Sequence, residues 1–115
     1  TDAILYLLAN GVDQSAITWV ISRDVWYNLI DGWVPEAVPG SKFHSYFIRG
    51  FIDPLVDASD AEDYFLKLEE VGSMGRLDPT TNGPSPEIYK GATIDKADLE
   101  QLRKVKDIVR LGRVT

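Results

Sequence analysis

The residues best placed to do chemistry in this chain follow a hydrophobic run. The run Ile17–Ile21 is β-branched or aromatic throughout, which predicts a strand buried on both faces of a parallel sheet. Ser22, Arg23 and Asp24 come directly after it. At the end of such a strand a guanidinium beside a hydroxyl can hold a 2′-phosphate by bidentate hydrogen bonds, whereas an NAD site favours a carboxylate. The order of these residues favours NADP; the alternative is that Arg23 is a solvated loop charge.

The segment before this strand predicts a helix. It has the acidic Asp2 in its first turn, strong helix formers within, and Asn10-Gly11 as a left-handed stop. A helix followed by a buried strand is the second half of a βαβ unit. We therefore predict that residues 1–24 form part of a Rossmann-type, NAD(P)-binding unit, with its first strand and glycine-rich turn missing.

Residues 25–87 are predicted to form a helical insertion with long loops. Phenylalanines four apart indicate a helix over residues 42–56 that ends or kinks before Pro54. Ser59 and Glu62 have the spacing of a capping box, which predicts the start of a further helix that ends at Gly72. Prolines and glycines make residues 32–41 and 72–86 loops.

Residues 88–115 are predicted to form a helix and a strand that return to the Rossmann sheet. Asp95 is expected to cap this helix, with Glu100 and Lys104 as an i,i+4 pair, after a short strand or extended lead-in at residues 88–94. The strand is expected from Ile108 onwards. The predicted fold class is an α/β fragment, mostly helical, in which a partial Rossmann-type βαβ unit with few parallel strands carries a helical insertion, all in one compact domain.

Composition excludes several kinds of site. The 115 residues contain no cysteine, which rules out disulfides, cysteine-ligated zinc, iron–sulfur clusters and a catalytic thiol, and which agrees with a cytoplasmic protein. The net charge of -6 argues against nucleic acid binding. No apolar run approaches the ~18 residues that a membrane span requires. We expect no metal site, because the single histidine, His44, cannot form a histidine pair. His44 is interpreted as a surface or packing residue; the alternative is an acid–base group.

Two clusters remain open to interpretation. The acidic residues Asp57, Asp60, Glu62 and Asp63 lack the spacing of a calcium loop and are interpreted as helix-start electrostatics. An aromatic-rich region is expected to be core, or else an interface or a wall of a substrate channel. Its members are Trp26, Tyr27, Trp33, Phe43, Tyr46, Phe47 and Phe51.

Several segments together resemble the FAD- and NAD(P)-binding flavoprotein oxidoreductases related to flavin-containing monooxygenases, in particular bacterial members. The resemblance is carried by Thr1-Asp2-Ala3, Ile17–Val20 with Arg23-Asp24, Tyr89–Ile94, Leu99–Arg103 and Ile108–Val114. It implies an internal segment that lies between the glycine-rich turn of the second dinucleotide-binding unit and the strand leading to the flavin domain.

The resemblance also implies site residues. Thr1 would follow the glycine turn, Asp2 would lie at the helix N-terminus, and Ser22 and Arg23 would discriminate between the nicotinamide nucleotides. The sequence contains no G-x-G-x-x-G motif, so the pyrophosphate cradle and the FAD site lie outside these residues. We expect a parent oxidoreductase that uses NADP and FAD, and a chain that alone binds neither tightly and catalyses nothing. The alternative is a self-contained, mostly helical interaction or dimerisation module whose partner, a second copy or the rest of a larger flavoprotein, meets the aromatic-rich region.

Overall fold

The computed structural model describes residues 1–32, 47–79 and 85–112. Its first helix, α1, spans Asp2–Ala9, with the expected acidic residue in the first turn. The chain leaves α1 through Asn10 and Gly11, and Gly11 has a φ of +82°. The predicted helix and its left-handed stop are confirmed. A short 3-10 helix, Gln14–Ala16, then leads to the first strand.

The first strand pairs with the last one. Strand β1 (Thr18–Val20) lies parallel to β5 (Asp107–Val109), with Thr18 opposite Asp107 and Val20 opposite Val109. Between them in the chain, helix α4 (Lys96–Leu102) precedes β5 and packs against α1. The predicted parallel partner at the end of the chain is therefore confirmed.

A second sheet lies between these parallel strands in the sequence. Its central strand, β2 (Val25–Leu29), pairs antiparallel with β3 (Met74–Gly75) and parallel with β4 (Ile88–Ile94). The prediction of a helical insertion with long loops is wrong at β2 and β3, which are strands. Strand β2 is buried along most of its length, so its short apolar run shows no alternation that would distinguish a strand from a buried helix.

The insertion does contain helices. A π-helical segment (Ile48–Ile52) passes into α2 (Asp53–Asp57), so the helix changes its hydrogen-bonding pattern before Pro54 but does not end there. Residues 42–46 of the predicted helix lie outside the described ranges. Helix α3 (Ala61–Glu70) ends before Gly72, whose φ is +81°, as expected.

The caps of α3 and α4 were predicted with different success. The N-cap of α3 is Asp60, whose Oδ1 accepts the backbone N–H of Asp63 at 2.9 Å. The prediction of Ser59 is wrong by one residue, because the carboxylate caps instead and Ser59 donates its N–H to Asp63. Asp95 caps α4 as predicted, with its Oδ1 2.7 Å from the N–H of Asp98.

Hydrophobic residues from both sheets meet in one core. It is formed by α1, α4 and the strands, and its buried members are Ile4, Ile17, Tyr27, Leu29, Leu77, Leu99, Leu102 and Val105. Trp19 and Ile108 pack against this core from the parallel pair, but Thr18 and Val20 are exposed. Within the described residues only one face of β1 is covered. The prediction that β1 is buried on both faces is therefore wrong for this part of the chain.

Three backbone segments approach each other closely beside the second sheet. A Cβ at Gly32 would lie 2.2 Å from the carbonyl oxygen of Gly72, and one at Gly50 would lie 2.8 Å from Oγ of Ser73. Ser73 is completely buried. The absence of side chains at Gly32 and Gly50 thus lets the 3-10 helix Ile30–Gly32 that follows β2, the π-helical segment and the turn after α3 pack together.

Candidate functional site

Ser22 and Arg23 lie just beyond the carboxyl end of β1, as predicted. The backbone N–H of Ile21 donates to the carbonyl oxygen of Val109 at 2.9 Å, so the parallel pairing holds the chain up to the residue before Ser22. Both Ser22 and Arg23 are exposed. In residues 1–32, 47–79 and 85–112 no hydrogen bond or ion pair engages the Arg23 guanidinium, which leaves its fork of donors available to an anion.

Asp24, the neighbouring carboxylate, is paired with Arg110. Its Oδ2 lies 2.6 Å from Nε of Arg110, which follows the end of β5. This pair offsets the one negative charge next to Arg23. The sequence alone did not single out Arg110, because its role depends on the parallel pairing of two strands that lie far apart in the chain.

Thr1 and Asp2 lie elsewhere on the surface, at the start of α1. They line a cavity of about 340 Å³ together with Tyr27, Asp95 and Asp98, and Ser22 and Arg23 are not among its lining residues. The structure therefore does not bring the four predicted nucleotide-binding residues into one cavity. Three aspartates in this cavity also disfavour a pyrophosphate there, because like charges repel.

Tyr27 links this cavity to the end of β1. It is 5% exposed and lines the cavity with its side chain in the core. Burial raises the pKa of the Tyr27 phenol, and the negative charge of Asp24 raises this pKa further. The phenol is therefore protonated at neutral pH and is a hydrogen-bond donor. Sequence reasoning placed Tyr27 only in the aromatic-rich region.

The aromatic-rich region divides between core and surface. Trp26 is 2% exposed and stacks on Phe65, with ring centroids 5.5 Å apart. Phe47 is 43% exposed and stacks on Phe51. The remaining members, Trp33, Phe43 and Tyr46, lie outside the described residues. The core interpretation is confirmed for Trp26 and Tyr27, and Phe47 belongs to the surface.

The other predicted sites concern metals and membranes. Asp60 and Asp63 of the acidic cluster serve as the N-cap and the capped first turn of α3, as the helix-start interpretation expects. Among the described residues no three histidine, cysteine or acidic side chains are arranged to hold a metal ion. No helix in those same ranges combines the length and apolarity needed to cross a bilayer. His44 lies outside them.

Comparison with known proteins finds relatives that are much longer. The chain is 36% identical over 116 aligned positions to uncharacterized protein Rv2000 of Mycobacterium tuberculosis and to uncharacterized protein Mb2023 of Mycobacterium bovis. The alignment covers 98% of this chain and 20% of each relative. The chain thus spans about a fifth of the curated relatives it matches. No family model matches it, and no solved structure does.

Proposed function

We propose that this chain contributes part of the NADP-binding unit of a larger FAD- and NAD(P)-dependent oxidoreductase and is not catalytic alone. The observation that carries the proposal is the pair of charges after β1: Arg23 has no partner in the described chain, while Asp24 is held by Arg110. Cofactor binding would use Arg23 and Ser22 on the 2′-phosphate, and the flavin would be held outside this chain.

The topology around these residues supports the proposal. Helix α1 precedes β1, helix α4 precedes the parallel strand β5, and the two helices pack against each other. In a doubly wound parallel sheet, helices that precede neighbouring strands also pack against each other on one face. In such sheets ligands bind beyond the carboxyl ends of the strands, where Ser22, Arg23 and Arg110 lie.

The exposed second face of β1 also supports membership of a larger unit. Parallel sheets occur almost only with both faces covered, and Thr18 and Val20 are exposed here. Relatives five times as long as the aligned segment have ample chain to cover that face. The flavoprotein assignment itself rests on the sequence resemblance.

The test is a comparison of two nucleotides that differ only in a 2′-phosphate. We expect the 115-residue chain to bind adenosine 2′,5′-bisphosphate about tenfold more tightly than AMP, because one charge-assisted bidentate pair contributes roughly 1.5–3 kcal/mol before solvent exposure reduces it. NMR titration detects such weak binding and maps it to Ser22 and Arg23. Arg23→Ala should remove the preference, and Lys106→Ala, at an exposed cation outside the site, should keep it.

Two results would contradict the proposal. Equal binding of adenosine 2′,5′-bisphosphate and AMP would mean that Arg23 does not read the 2′-phosphate. Tight binding of FAD by the isolated chain would mean that a complete flavin site lies within these residues, which the missing glycine-rich motif argues against.

A second candidate function is an interaction module without enzymatic activity. It is favoured by apolar side chains exposed along the π-helical segment and α2, namely Phe47, Ile48, Ile52, Leu55 and Val56, which are 38% to 77% exposed. Such a surface is typical of a protein interface. A midpoint of cooperative unfolding that rises with protein concentration would support self-association, and Val56→Lys should abolish that dependence.

A further inference from the structure

A second cavity lies in the insertion, apart from the end of β1. It has a volume of about 300 Å³, near the lower limit for small-molecule sites. Strands β2 and β4, the first turn of α3 and the segment before β4 form its walls. The lining residues are Trp26, Ala61, Glu62, Phe65, Ser85, Pro86, Glu87 and Tyr89.

Aromatic rings form one side of this cavity. Trp26 and Phe65 stack with an interplanar angle of 17°, and the Phe65 and Tyr89 rings lie 5.6 Å apart at 48°. Tyr89 is 49% exposed, and its hydroxyl is fixed by hydrogen bonds with Asn28 at 3.0 and 3.3 Å. The rings are thus held in place and present a rigid apolar wall with one accessible ring.

The charged residues that line this cavity are both acidic. Glu62 and Glu87 are exposed carboxylates, and neither has a hydrogen bond or ion pair in the described chain. No lysine or arginine occurs among the lining residues given above. The nearby guanidinium of Arg76, which contacts Ser85, is neutralised by Glu69, with Nε 3.0 Å from Oε2. The lining residues therefore carry a net negative charge, and the Arg76 guanidinium lies 5.6 Å from the centroid of the Trp26 ring beside them.

Trp26 offers a hydrogen-bond donor among the residues that line the cavity. Its ring is 2% exposed and lines the cavity, yet its indole N–H has no acceptor within residues 1–32, 47–79 and 85–112. A ligand in the cavity that carries an acceptor oxygen would supply one.

We propose that this cavity binds a small alkylated ammonium compound that carries an acceptor oxygen. Aromatic rings attract such cations through the negative potential of their faces, and the effect is largest where water is excluded. Tyr89 and Phe65 supply the aromatic wall, Glu62 and Glu87 the negative charge, and Trp26 the donor for the oxygen. This site is independent of nucleotide binding at Arg23.

The test compares choline with its neutral isostere 3,3-dimethyl-1-butanol, which has the same shape without the charge. We expect the 115-residue chain to bind choline about tenfold more tightly than the isostere, and to shift the NMR resonance of the Trp26 indole N–H. Glu62→Gln combined with Glu87→Gln should reduce choline affinity towards that of the isostere, and the aromatic rings should retain the rest of the preference. Glu70→Gln is the matched control, because it removes an exposed charge from the same helix outside this cavity.

Several outcomes overturn the proposal. They are equal affinity for choline and the isostere, resonance shifts that avoid the cavity, and unchanged choline affinity in the double variant. Vesicles of phosphatidylcholine distinguish the sources of the cation. Sedimentation with vesicles that free choline reverses assigns the site to a lipid headgroup, and choline binding without sedimentation assigns it to a free small molecule.

Discussion

Arg110 and Asp24 join the carboxyl ends of the two parallel strands, with Nε of Arg110 2.6 Å from Oδ2 of Asp24. The ion pair is about one-third exposed, so its contribution to stability is small. The ion pair matters more for the local charge, because Arg110 offsets the negative charge of Asp24 next to Arg23. Because Arg110 offsets Asp24, the residues after β1 repel a phosphate less than the sequence Arg23-Asp24 alone indicates.

Removal of Arg110 should change nucleotide preference more than stability. In Arg110→Met the free energy of unfolding should fall by less than about 1 kcal/mol, since exposed ion pairs contribute little. The preference for adenosine 2′,5′-bisphosphate over AMP should shrink, because Asp24 is then an unpaired negative charge beside the site. Urea unfolding and NMR titration measure the two effects. An unchanged preference would show that the pair does not influence anion binding.

The titration of Tyr27 should depend on Asp24. Burial is the larger cause of its raised pKa, so Asp24→Asn should lower the pKa but leave it above the ordinary value of 10.0. The free energy of unfolding depends on pH through the same shift. Above about pH 10 the unfolded chain loses this proton before the folded chain does, so the fold loses stability as the pH rises through the native pKa. NMR of ¹³C-labelled tyrosine reports the pKa directly. Asp53→Asn, at an exposed carboxylate of α2, should leave it unchanged.

A methyl group at Gly32 should destabilise the fold strongly. The added Cβ would lie 2.2 Å from the carbonyl oxygen of Gly72, and a backbone atom cannot move aside as a flexible side chain can. Gly32→Ala should cost about 3 kcal/mol or more, as expected for overpacking. Gly11→Ala is the comparison, with a φ of +82° but open space, and should cost about 1 kcal/mol. Similar losses in both variants would contradict the close approach.

Leu99 should be among the most sensitive core positions. It is completely buried in α4, and its side chain reaches Gly75 of β3, so it joins the helix to the second sheet. Leu99→Ala should lower the free energy of unfolding by roughly 3–5 kcal/mol. Leu55→Ala, at a residue 55% exposed, should change it by less than about 0.5 kcal/mol. Equilibrium unfolding in urea compares the two.

Local signals in the sequence predicted the elements that depend on local chemistry. Asp95 was recognised as a cap because a carboxylate before a helix satisfies the free N–H of the third residue, here Asp98. Gly11 and Gly72 were recognised because positive φ strongly favours glycine. At α3 two adjacent residues, Ser59 and Asp60, can both accept a hydrogen bond, so the sequence could not decide between them.

Features that depend on distant residues could not be predicted in this way. Strand β2 was missed because its apolar residues are buried by partners about 50 and 60 positions away, in β3 and β4. No local signal distinguishes Arg110, since only the pairing of β1 with β5 brings it to Asp24. The position of Ser22 and Arg23 after β1 was predicted from the sequence, but the ion pair of Asp24 with Arg110 beside them was not.

The parallel pair also has a consequence for the order of folding. Thr18 and Asp107, which are hydrogen-bonded through their side chains, lie 89 positions apart. Contacts of such long range form slowly, because the intervening chain must lose much of its conformational freedom before they are made. We expect the second sheet and its helices to assemble first and to bring β5 towards β1. The charge pattern at Arg23 would then arise only in the last step, when the whole segment between the two strands is in place.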